Sequence, residues 1–263
     1  MKNKFRSMIF LAAICILVLL PQKALAADME YNFNKNKSIS IAESDSYEAS
    51  GKYTWLKYKA GSDGYLTVKM SNPENAVSSA KGYIALYNGR KTTPLSSKSI
   101  FYNTEYGNRA YWQEISFGLQ KGEEYYIRVM GENAVKLSRT FTKVKVKSGK
   151  TKAKAVTLKQ NKAKKGLMFA GTSSADWYRF QITKSRKLRL YYNAKTRGSF
   201  KLSVYFGKQM IMSRTIRNTE AQRKITLALE KSGKETGMVP GAYYIKIERA
   251  DSASSGFYKI KWN

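Results

Sequence analysis

The chain has no histidine, and its single cysteine, Cys15, lies within the first twenty residues. Without imidazole there is no Ser-His-Asp triad and no histidine general base. Without a second thiol there is no disulfide framework, and thiolate or imidazole metal sites fall with it. After Leu20 no apolar run approaches the roughly 20 residues of a membrane-spanning helix, and helical periodicity is weak. Acidic side chains are scarce: 18 against 48 lysines and arginines, a net charge of +30.

What is present begins with Lys2, Lys4 and Arg6 ahead of the apolar run Met8 to Leu20. Pro21 breaks that run, and Ala24-Leu25-Ala26 supplies a small-x-small cleavage site. This is the three-part pattern of a secretory leader, so residues 1–26 are expected to be removed and the mature chain secreted, with no transmembrane segment. Cys15 sits inside the apolar run behind the bulky Ile14, which does not suit a lipidation site, and is read as part of the leader. The remaining charge is uneven. Residues 27–150 carry 19 basic and 12 acidic side chains, whereas residues 151–263 carry 25 and 6. Self-repulsion of that size calls for counter-charge in the working environment.

Five blocks recur in order. Thr54 to Lys59 matches Asp176 to Gln181, Tyr65 to Lys69 matches Lys187 to Tyr191, and Ala85 to Tyr87 matches Ser203 to Tyr205. Gly122 to Val129 then matches Gly241 to Ile247, and Phe141 to Val146 matches Phe257 to Trp262. Each block alternates apolar and polar residues, the period of a strand with one buried face. Turn residues such as Gly61-Ser62-Asp63-Gly64, Asn88-Gly89 and Pro240-Gly241 separate them. The expected fold is all-β: after the cleaved leader, two tandem antiparallel jelly-roll-like β-sandwich domains, residues 27–148 and a strongly basic 149–263.

The second set, through Asp176, Tyr178, Phe180, Gly241, Tyr243, Tyr244 and Ile245, resembles the bacterial pre-peptidase C-terminal domain. The first set departs from that pattern, with Thr54 in place of the aspartate. The resemblance implies a non-catalytic sandwich of the kind appended to secreted enzymes, with substrate-binding, secretion or solubility roles.

Other motifs carry little. Ser78-Ser79-Ala80-Lys81 has the Ser-x-x-Lys spacing of penicillin-recognising enzymes but lacks a Lys-Thr-Gly partner. Glu114 and Glu124 are ordinary strand acids rather than a glycosidase pair. No acidic cluster has calcium-loop spacing. Neither catalytic residues, metal nor cofactor is assigned.

The positive signals are cationic. Lys143, Lys145, Lys147, Lys150, Lys152, Lys154, Lys162, Lys164 and Lys165 fall in a stretch with no acid and form a candidate polyanion-binding set. Val144 and Val146 alternate with the first three, which predicts one solvent-facing row on a strand, although edge lysines also discourage aggregation. Outward aromatics beside bases form a second candidate set: Trp177, Arg179, Lys187, Arg189, Tyr191, Tyr244 and Lys246. A ring beside a cation can stack on a sugar or base while the cation holds a phosphate or carboxylate. The expected function is that of a secreted, non-catalytic envelope protein gripping anionic wall polymer or acidic polysaccharide, retained electrostatically at the cell surface. Alternatives are an accessory subunit of a secreted hydrolase, or an extracellular nucleic-acid binder, for which no recognition helix is evident.

Overall fold

Alternation sets most of the elements: in the strand Ala175–Ile182 the residues Asp176, Tyr178, Phe180 and Ile182 are buried while Arg179 and Gln181 are exposed. The computed structural model describes residues 28–41, 53–71, 81–102, 113–131, 134–227, 229–231 and 234–263. The leader assigned to residues 1–26 and the serines of the Ser-x-x-Lys motif lie outside the described residues. The protein is all-β, and no helix occurs among the described residues.

The N-terminal half contains β1 (Met29–Asn32), β2 (Ser38–Ile41), β3 (Thr54–Lys59), β4 (Gly64–Ser71) and β5 (Lys81–Asn88). It continues with β6 (Ser99–Tyr102), β7 (Gln113–Leu119), β8 (Glu124–Gly131) and β9 (Val135–Lys143). These form two layers, β1-β3-β8-β5-β6 and β2-β9-β4-β7. Leu56, Ile84, Leu86 and Ile127 from the first close on Leu66, Val68, Phe117 and Leu137 from the second, all fully buried.

The C-terminal half contains β10 (Val156–Thr157), β11 (Lys164–Met168), β12 (Ala175–Ile182), β13 (Leu188–Phe206) and β14 (Gln209–Leu227). A short hairpin, β15 (Leu229–Lys231) with β16 (Lys234–Thr236), precedes β17 (Gly241–Arg249) and β18 (Ser255–Trp262). Here one sheet, β10-β12-β17-β13-β18-β11, makes both layers, with β14 paired along β13. It does so because β13 bends. Leu190 to Arg197 pair with β18, while Phe200 to Phe206 pair with β17. The bend coincides with register shifts against β14 and with Gly198 at φ 78, a left-handed conformation that favours glycine. Among the described residues the strand pairings are antiparallel except β1 with β3 and β10 with β12.

Strand order is the same in the two halves. The series β10-β12-β17, then the late half of β13 and the early half of β14, repeats β1-β3-β8-β5-β6. Likewise β11-β18, then the early half of β13 and the late half of β14, repeats β2-β9-β4-β7. The halves also touch. Tyr65 of β4 stacks on Phe257 of β18 with centroids 5.1 Å apart, and the Ala170 amide donates to the Gly118 carbonyl at 2.8 Å. Gly118 is obligatory there, since a β-carbon would strike the Met168 carbonyl oxygen and the Gly256 backbone. Ala170, from the loop after β11, packs into the N-terminal core.

One polar network crosses the C-terminal core. Asp176 is fully buried, and its Oδ1 accepts from Ser148 Oγ at 2.6 Å and Lys150 Nζ at 2.7 Å. Its Oδ2 accepts from the Tyr258 hydroxyl at 2.6 Å, which in turn lies 2.8 Å from the Tyr178 hydroxyl. Burial pushes both phenols above their ordinary value; for Tyr258 the neighbouring Tyr178 and Asp176 add to it, and for Tyr178 the Asp176 charge does. The folded state therefore keeps these protons while the unfolded chain releases them near pH 10. Their contribution is complete below that pH and is lost as pH rises beyond it, by about 1.4 kcal/mol per pH unit for each tyrosine. Urea midpoints at pH 8 and pH 11 should show this fall, and the Tyr178→Phe variant should fall less steeply. Equal slopes for the two proteins would show that Tyr178 titrates normally in the fold.

Candidate anion-binding surface

The seven aromatic-basic candidates divide between the two layers of the C-terminal half. Trp177, Arg179, Tyr244 and Lys246 lie on β12 and β17, in one layer. Arg189 and Tyr191 lie on the early half of β13, in the other, with Lys187 just before it. They cannot form one site, because the bend in β13 carries its early residues to the opposite face of the sandwich.

The first group closes on itself. Trp177 lies against Tyr205 at 5.6 Å between centroids, and Lys152 Nζ lies 4.9 Å from the Tyr244 centroid and 5.5 Å from that of Tyr205. Lys152 also donates to the Gly207 carbonyl. Lys246 Nζ pairs with Glu248 at 2.5 Å and stands over Trp177, while Arg179 Nε donates to Thr157 Oγ1 at 3.1 Å. A matching arrangement occupies the same strands of the N-terminal half. There the buried Trp55 meets Tyr53, Tyr87 and Tyr126 edge-on, under Lys91, and its Nε1 donates to Asp28 Oδ2 at 2.8 Å. In both halves the outer aromatics are covered by their own cations. Trp177 and Tyr244 thus carry cations of the fold at their rings, as Tyr191 does with Lys261.

The lysine run does not form one stripe either. β9 ends at Lys143, so Lys145 and Lys147 lie beyond the strand, with Val144 buried between Lys143 and Lys145 and its amide donating to the Asp63 carbonyl at 3.0 Å. Lys150 is committed to Asp176 and Lys152 to the Gly207 carbonyl. Lys154 and Lys162 are exposed in turns, and Lys164 and Lys165 begin β11.

A different set converges. On the outer face of β11, β18, β13 and β14, Lys165 stands directly opposite Lys259, and Lys259 opposite Asn193. In the next row Lys261 is opposite Tyr191, and Tyr191 opposite Lys224. Lys261 Nζ lies 5.0 Å from the Tyr191 centroid. Like charges directly opposite in a sheet are destabilising, and among the described residues no carboxylate pairs with any of these four lysines. The face is concave. A cleft of about 260 Å³ is lined by Tyr191, Asn193, Lys259 and Lys261, with Asn161 on one side and Gln222 on the other. The wall bearing Gln222 rises where the β13–β14 register shifts between Tyr192 and Ala194, as bulges do beside many sites. Asn193 Oδ1 is shielded from solvent and bonded to nothing.

Lys224, Lys259, Lys261 and Asn193 escaped the sequence reading. Lys259 and Lys261 alternate with the apolar Tyr258, Ile260 and Trp262, so their outward direction was legible; their neighbours on distant strands were not. Glu114 faces a cleft with Lys195 and Arg223, whereas Glu124 pairs with Lys57 at 3.1 Å in the other layer, so the two are not a pair. No cluster of metal-ligating side chains occurs among the described residues, and no helix there is long and apolar enough to cross a membrane.

No protein-family model and no curated protein matches this chain. Among solved structures it is similar to the pre-peptidase C-terminal domain of a collagenase from Bacillus anthracis, at 11% identity and a TM-score of 0.33, over 46% of this chain and 100% of that one. It is similar to CorA, a surface-associated copper-binding protein of Methylomicrobium album BG8, at 10% identity and 0.30, over 44% and 100%. A third is the tandem CBM22 domain pair of Paenibacillus barcinonensis Xyn10C, at 9% identity and 0.23, over 80% and 82%. The functional reading below rests on none of these likenesses.

Proposed function

We propose that this is a secreted, non-catalytic binding protein of the bacterial envelope that holds an acidic polysaccharide or anionic wall polymer on the outer face of β11, β18, β13 and β14. We read its halves, residues 27–148 and 149–263, as two copies of one unit, which their common strand order supports, the second resembling the pre-peptidase C-terminal domain better through Asp176, Tyr178, Phe180 and Gly241. The observation that carries the binding role is a group of four lysines with no carboxylate partner among the described residues, Lys165 and Lys259 in the row of Asn193 and Lys224 and Lys261 in the row of Tyr191. Lys165 and Lys259, directly opposite one another, cost stability that an anion lying over them would offset. A polymer fits better than a small anion because the lysines lie on three strands, β11, β18 and β14, within a span of four neighbours roughly 4.8 Å apart.

Such a grip works by releasing counterions and weakens steeply with salt. The mature chain should sediment with purified wall polymer at about 50 mM salt and be released at a few hundred millimolar. Retention unchanged by salt would overturn the reading. Double-stranded DNA, added as a competitor at fixed salt, should displace it poorly; efficient displacement would move the assignment to nucleic acid.

A further inference from the structure

The four lysines account for attraction to an anion but not for the cleft that Lys259 and Lys261 line. We propose that this cleft is a glycan subsite: it takes one acidic sugar unit of the polymer, with Lys259 and Lys261 on its carboxylate or phosphate and Asn193 on a ring hydroxyl. This inference rests on the polyanion reading and adds the chemical class of the ligand.

Three features point to a sugar rather than to a bare polyanion. The cleft, at about 260 Å³, lies just under the roughly 300 Å³ at which ligand pockets begin, so it has room for one ring rather than an extended chain. Its polar lining combines two cations with the amides of Asn161, Asn193 and Gln222. A phosphate or carboxylate offers such amides only acceptors, whereas a sugar hydroxyl both donates and accepts. Finally, Asn193 Oδ1 has no partner within the fold. A shielded acceptor left unpaired is unfavourable, and no bond from that oxygen holds the amide in its orientation. A turn about the last side-chain torsion brings the oxygen toward the cleft, where a ligand hydroxyl can donate to it. Tyr191 makes one wall, with its ring already paired to Lys261.

The test uses the full mature chain, wild type and Asn193→Ala, titrated calorimetrically with oligogalacturonate and with the same oligomer after O-acetylation. Acetylation removes the hydroxyl donors and leaves the carboxylates. Wild type should bind the native oligomer about tenfold more tightly than the acetylated one, the worth of one net hydrogen bond. Asn193→Ala should bind both at the weaker level, with an unchanged melting temperature because no bond of Oδ1 is lost. If Asn193→Ala matches wild type on the native oligomer, or if acetylation weakens both proteins equally, the subsite is overturned while salt-dependent binding still stands. If neither oligomer shows salt-dependent binding to wild type, the charge reading falls as well.

Discussion

Replacing Lys165, Lys224, Lys259 and Lys261 together by glutamine should nearly abolish the salt sensitivity of polymer binding while leaving the fold intact. For a single-stranded polyanion each neutralised charge contributes about 0.7 to the slope of log affinity against log salt. Four contacts on that scale give a slope near 3. Between about 50 and 200 mM salt the wild type should then lose roughly fifty-fold in affinity that the variant never had. The variant should be no less stable than wild type, because Lys165 and Lys259 repel one another across β11 and β18. Lys143, Lys145, Lys147 and Lys154 are also exposed but lie outside β11, β18, β13 and β14. Changing those four to glutamine alters net charge by the same amount, and it should shift the slope little. The pair of variants therefore separates a localised grip from the general attraction of a very basic protein. Equal losses in both would leave net charge as the whole explanation, and an unchanged slope in the first would remove the four lysines from the site.

Much of the strand layout was legible because alternation reports sidedness directly. The blocks aligned by sequence lie on corresponding strands, β3 with β12, β4 with early β13, β5 with late β13, β8 with β17 and β9 with β18. Within them, Tyr178, Phe180, Leu188, Leu190, Tyr243, Ile245 and Ile247 all point into the core. Sidedness is local information, however, and a site depends on which strands become neighbours. Arg189 and Tyr191 looked like companions of Trp177 and Tyr244, since all face outward from good strands. The bend at Gly198 sends them to the opposite layer, and nothing in the alternation marks a strand that changes layers midway. Lys150 and Lys152 read as part of a solvated run because their partners, Asp176 and the Gly207 carbonyl, lie 26 and 55 residues on. The Tyr191–Lys261 contact spans 70 residues of chain and has no local signature.

Asp176→Ala should be among the most destabilising single changes in the C-terminal half, by about 3 kcal/mol. Removing the carboxylate leaves the Tyr258 hydroxyl without its acceptor in a fully buried position, with only the Tyr178 hydroxyl beside it. A buried polar group deprived of its partner costs about 1–3 kcal/mol, and the small cavity left by the side chain adds to that. Lys150 behaves differently. Its own side chain is 50% exposed, and deleting it leaves the buried Asp176 carboxylate with Ser148 and Tyr258 as donors, so Lys150→Ala should cost about 1–2 kcal/mol. Asp176→Asn keeps an acceptor for Tyr258 and should fall between the two. The asymmetry matters because Asp176 sits on β12 and Tyr258 on β18, in opposite layers, with the Tyr258 ring packed where a β-carbon on Gly166 would be. Thr54, also fully buried, holds the same place on β3 in the N-terminal half, so the carboxylate is a fastener particular to the C-terminal half. Urea denaturation of the three variants would measure the series. A loss under about 1 kcal/mol for Asp176→Ala would mean that the two tyrosines satisfy each other and that hydrophobic packing alone joins the layers.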